Sequence, residues 1–129
     1  MQSQFWVGLV GGIIIIRTRG LSTVTSVLDR HARALQLAKE SGSRSILFDF
    51  LEAEAPTYEV KEVQKGLNAE LQARGFRVAV VVPNPQLAYH GRMTFGDDNH
   101  RIVYEDLAAA TRWLSGHAEP AAQDSGAVG

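Results

Sequence analysis

Apolar positions along this chain follow two rhythms. Short runs of β-branched and aromatic residues, "QFWV", "IIII", "ILFDF" and "VAVVV", alternate with longer stretches whose apolar residues recur every three or four positions. The first rhythm predicts strands and the second helices. Gly11-Gly12 between the first two runs predicts a tight hairpin, because both glycines can take positive φ. Gly20 closes the second strand. Val24, Val27, Leu28, Leu35 and Ala38 then repeat at helical spacing, with Ser22 or Thr23 as N-cap and Lys39 and Gly42 at the end. Residues 45–50, "SILFDF", show little alternation, the pattern of an inner parallel strand. Val60, Val63, Leu67 and Leu71 predict a second helix ending at Gly75, and Gly66 inside it suggests a close contact. A strand over 76–82 stops at Pro83-Asn84-Pro85. A short helix over 87–95, a turn over 96–100 and a strand over 101–105 follow. Asp106 caps a last helix whose apolar face carries Leu107, Trp113 and Leu114.

The predicted order is β-β-α-β-α-β-α-β-α, an α/β fold with a mostly parallel sheet and an N-terminal antiparallel hairpin. One domain over residues 1–115 is expected, with a small, polar, disordered tail over 116–129. The chain has 129 residues, enough for one real core. Its 13 basic residues are scattered and its net charge is −1, which argues against nucleic acid as a partner. Without cysteine it has neither disulfides nor thiolate chemistry. The opening MQSQFW lacks the positive charge of a secretory signal. The apolar stretch from Phe5 to Ile16 is shorter than the roughly 20 residues of a membrane span. A cytoplasmic protein with no membrane span is the expectation. The hairpin also exposes an edge strand, and edges invite pairing, so a homodimer is a further expectation.

Parallel sheets present ligands at the carboxyl ends of their strands. Four segments answer to this: residues 20–23, residues 51–57, residues 83–86 and the segment after Tyr104. The second is the richest. Asp49 lies near the end of its strand, Leu51, Glu52 and Glu54 form the predicted loop surface, and Thr57 and Tyr58 sit where a helix begins. An enzyme would pair Asp49 with His90 or His100, but no nucleophile elbow, phosphate loop or zincin spacing supports one. Catalytic residues and cofactors are therefore expected to be absent. Gly8, Gly11 and Gly12 lack the helix that a dinucleotide loop opens. Asp97, Asp98 and His100 read as turn residues, not a metal site. His31, beside the apolar stripe, reads as a packed histidine. Thr57 and Tyr58 offer hydroxyls at a helix N-terminus, where a phosphate would be favoured. A plain N-cap at Thr57 is the structural alternative.

The order of elements, with "ILFDF", "LQARGFRVAVVVPNP" and "RIVYEDLAAATRWL", resembles the STAS superfamily, and particularly the stand-alone SpoIIAA-like proteins, over about residues 4 to 115. In the antagonist branch an Asp-Ser-Ser/Thr-Gly motif carries a serine that a partner kinase phosphorylates, releasing an anti-sigma factor. That motif falls on "PTYEV", residues 56–60, with Thr57 or Tyr58 at the hydroxyl position and the serines and glycine missing. The resemblance implies a non-enzymatic regulatory domain that contacts a protein partner through the Leu51–Tyr58 segment, with Tyr58 as an aromatic anchor. A small apolar or lipid-like ligand held between sheet and helices is the alternative.

Overall fold

Two glycines in the left-handed region set the first turn: Gly11 at φ 57° and Gly12 at φ 82°. They join β1 (Gln4–Val10) to β2 (Ile13–Gly20), which pair antiparallel from Val10↔Ile13 to Gln4↔Arg19. The computed structural model describes residues 4–89, 100–104 and 106–115. After β2 come α1 (Val24–Ser41), β3 (Ser45–Ala53), α2 (Tyr58–Ala73) and β4 (Arg77–Val82). Residues 85–89 form α3, followed by β5 (His100–Tyr104) and α4 (Leu107–Ser115).

The sheet runs β1-β2-β3-β4-β5, and every pair after the first is parallel. This is the expected α/β architecture. Neighbours in sequence are neighbours in the sheet, so right-handed crossovers put the connecting helices on one face. Strand alternation then divides the core in two. Ile14, Ile16, Ile46, Phe48, Val78 and Val80 face α1 and α2, where Ala34, Ala38 and Leu71 meet them. Ile13, Leu47, Ala79 and Val81 face the other way and meet Ala110 and Leu114 of α4.

Local signals account for the helix ends. Thr23 is the N-cap of α1 and forms a capping box with Ser26, while Gly42 closes it in the left-handed conformation. Asp106 accepts from the Ala109 amide at 2.8 Å, as expected of a cap.

Several expectations need correction. Leu28 is 48% exposed and lies outside the α1 stripe, whose buried positions are Val27, Arg30, Ala34 and Ala38. Leu107 sits at the rim of α4, which buries Leu114 as expected and, in place of Leu107, Ala110. A Cβ at Gly66 would meet nothing within 4 Å, so that glycine serves no close approach. His100 begins β5 and does not belong to the turn. His90, Asp97, Asp98 and the tail over 116–129 lie outside the described residues.

Candidate functional site

The strand predicted to stop at Phe50 runs on to Ala53. The reason is non-local. Arg19 pairs with Glu52 and Gly20 with Ala53, after a register shift between Arg17 and Arg19. This irregularity of the parallel ladder, like a β-bulge, re-aims the side chains that follow it. Asp49 holds it. One of its oxygens accepts from the Leu51 amide at 3.1 Å, and the other contacts Arg17 Nε at 3.1 Å. Asp49 is 5% exposed inside β3, so it is a buried structural carboxylate and not part of a loop surface.

Leu51 and Glu52 likewise belong to β3, where Leu51 packs towards the α4 side. Glu52 meets Arg19 at 2.7 Å with both side chains exposed, and such pairs contribute little to stability. The true loop is residues 54–57. Its first amide, of Glu54, donates to Gly20 O at 2.9 Å, which ties it to the end of β2.

Thr57 then caps α2. Its hydroxyl accepts from the Val60 amide at 3.2 Å, and its carbonyl accepts from the Lys61 amide at 3.0 Å. Tyr58, the first residue of α2, is 74% exposed. The structure therefore brings Glu54, Thr57 and Tyr58 together at one end of the sheet, and sets Asp49 and Leu51 beneath them in β3.

Across from this loop lies the turn after β4. Asn84 caps α3, its side chain accepting from the Leu87 amide at 2.9 Å. Between the two loops is a crevice of about 400 Å³, lined by Ala53, Glu54, Ala55, Pro83, Asn84 and Leu87 among others. It lies at the carboxyl ends of β3 and β4, the position from which parallel sheets present ligands. Tyr89, the last residue of α3, is 56% exposed.

Sequence reasoning missed a buried polar cluster behind the site. Arg30 is 3% exposed and donates to Thr18 Oγ1 at 3.1 Å, Ser22 Oγ at 3.0 Å and Gln64 Oε1 at 2.9 Å. Gln64 passes the chain on to Asn68 at 3.1 Å. Burial lowers the Arg30 pKa from its ordinary value to about 10. The signal was phase: Arg30 falls between Val27 and Ala34 on the α1 stripe, and Gln64 and Asn68 fall between Val60 and Leu71 on that of α2. Ser22, one of the two predicted caps, serves Arg30 instead.

Among the described residues no group of three His, Asp or Glu side chains could hold a metal ion. None of their helices is long and apolar enough to cross a membrane.

No family model matches this sequence, and no curated protein matches it as a relative. Solved structures do resemble it. The unphosphorylated anti-sigma factor antagonist SpoIIAA aligns with a TM-score of 0.68 at 16% identity, over 88% of this chain and 97% of that one. An anti-sigma factor antagonist from Mycobacterium paratuberculosis gives 0.66 at 13% identity, over 88% and 94%. An uncharacterised DUF3478-family protein with a SpoIIAA-like fold, from Shewanella loihica PV-4, gives 0.56 at 15% identity, over 88% and 94%. The chain has the SpoIIAA-like fold, as its order of elements implied.

Proposed function

We propose that this SpoIIAA-like domain is a non-enzymatic, cytoplasmic regulatory module. It binds another protein through the surface that joins residues 54–58 to residues 83–87. The observation that carries the reading is Tyr58: a large aromatic, 74% exposed, on the first turn of the helix that follows the crevice-lining residues Glu54 and Ala55. Aromatics that add contact area at little entropic cost are favoured as interface anchors. The anti-sigma factor antagonists that share the fold support a protein as the partner.

A phosphate on this surface would belong to Tyr58 more readily than to Thr57. The Thr57 hydroxyl already accepts from the Val60 amide, whereas the Tyr58 side chain lies in solvent.

The test is affinity capture with wild-type protein and Tyr58→Ala in parallel, with the retained proteins and any phosphate on Thr57 or Tyr58 read by mass spectrometry. A specific partner should be depleted several-fold by Tyr58→Ala while the melting temperature stays put. Equal retention by both forms would overturn the reading.

One observation favours the second reading, a small apolar or lipid-like ligand. A crevice of about 580 Å³ opens between the carboxyl ends of α1 and α2, with Leu35 and Phe76 in its lining and Lys39, Arg44 and Arg74 beside them. That volume suits a small molecule. The space between sheet and helices higher up is filled by core side chains.

A further inference from the structure

We infer that β1 is the seam of a homodimer, in which the free edges of two copies pair antiparallel about a two-fold axis at Val7. This surface is separate from the one proposed for the protein partner.

The backbone supplies the first argument. A two-residue turn with both glycines at positive φ makes Val10 and Ile13 a hydrogen-bonded pair. Hydrogen-bonded and non-hydrogen-bonded pairs alternate along an antiparallel ladder. Gln4, Trp6, Gly8 and Val10 therefore bond to β2. Phe5, Val7 and Leu9 turn their N–H and C=O groups outward, to an edge that no other described strand pairs with.

The second argument is what the edge lacks. Sheets protect exposed edges with charges, prolines or short strands. β1 is seven residues long, and "QFWVGLV" contains neither a charged residue nor a proline. Three of the large apolar side chains exposed among the described residues belong to it: Trp6 at 48%, Leu9 at 43% and Val10 at 52%.

The third argument selects a second copy over a foreign strand. Full overlap about Val7 sets Val7 against itself, Phe5 against Leu9 of the other copy, and Trp6 against Gly8. The Trp6 ring already lies along its own strand over Gly8, where a Cβ would come within 2.4 Å of it. A glycine opposite each indole leaves room for both rings to lie side by side across the axis. β1 itself brings no charged side chain to this register, although Arg17 of β2 stands 5.7 Å from each Trp6 ring, and a net charge of −1 gives two copies little to repel them.

The pairing would use only the outward groups of Phe5, Val7 and Leu9, so the inner ladder to β2 is unaffected. A proline at position 9 removes one outward donor and none of the inner ones, and edge strands tolerate proline there.

Sedimentation velocity and light scattering on the full chain should give twice the 14.1 kDa monomer mass. Hydrogen exchange read by NMR should find the Phe5, Val7 and Leu9 amides protected, with Trp6, Gly8 and Val10 as internal references. Leu9→Pro, and independently Leu9→Lys, should return the monomer mass and release those three amides while α1 and β3 stay protected. Wild-type protein at the monomer mass with Phe5, Val7 and Leu9 in free exchange overturns the inference. So does a dimer that survives Leu9→Pro. If Leu9→Pro does not fold, the wild-type exchange pattern decides alone.

Discussion

His31 shows how one side chain can make this fold sensitive to pH. Its ring is only 11% exposed, and its Nε2 stands 3.4 Å from Glu70 Oε1, too far for a good hydrogen bond. Burial lowers its pKa below the ordinary 6.5, Glu70 opposes the shift, and Arg74 adds a little to it. The folded state thus holds the proton less well than the unfolded chain. As pH falls below 6.5 the unfolded chain binds more protons, so stability must fall with it. Above 6.5 this contribution is fully present. Urea midpoints measured down from pH 7 should drop faster for wild-type protein than for His31→Gln, which cannot titrate there. Parallel curves would mean that His31 keeps its ordinary pKa in the folded state.

At the scale of elements, the seam between α1 and α2 is unusual because its centre is polar. Arg30 enters it with three neutral oxygen partners and the Phe50 ring 5.4 Å away, and among the described residues none of its hydrogen bonds reaches a carboxylate. A buried charge of this kind is costly, yet removing it leaves its partners unpaired. Arg30→Ala should therefore cost about 3 kcal/mol, from the unpaired oxygens together with the cavity. Arg30→Met refills the volume and should lose only about half as much. Equilibrium urea unfolding of the two variants separates the effects, and equal losses would make hydrogen bonding the whole cause. The same seam shows what the sequence made legible. Helical phase located both helices, and the Thr57 cap followed from its place before an amphipathic run. The pattern failed where a polar residue occupied an apolar phase, as at Arg30, Gln64 and Asn68. Hydropathy ranks such residues outward and cannot foresee partners that arrive from another element. Leu28 is the converse, an apolar residue left exposed. Leu51 and Glu52 were misread as loop because their strand state depends on pairing with β2, a contact between residues more than thirty positions apart.

For the whole molecule, the consequence of a sequential sheet is asymmetry. Among the described residues, the connecting helices α1 and α2 cover one face, and the short helix α4 covers the β3–β4 region of the other. Ala110 and Leu114, both essentially buried, provide its apolar contact with the sheet. Arg77 fastens the end of α4, stacking 4.2 Å from the Trp113 ring centre and donating to the Trp113 carbonyl at 3.1 Å. Isolated helices this short are marginal in water, so α4 depends on docking. Leu114→Ala removes its deepest anchor and should cost about 3 kcal/mol. Leu107→Ala, on the same helix at the 37% exposed rim, should cost about 0.5 kcal/mol. Urea unfolding followed by far-UV circular dichroism gives both losses. Near-UV dichroism of the native proteins reports whether Trp113 has left Arg77. A large loss at Leu114 with a small one at Leu107 is expected if α4 closes the second face. Equal small losses would mean that β3 and β4 keep their buried side chains covered without it.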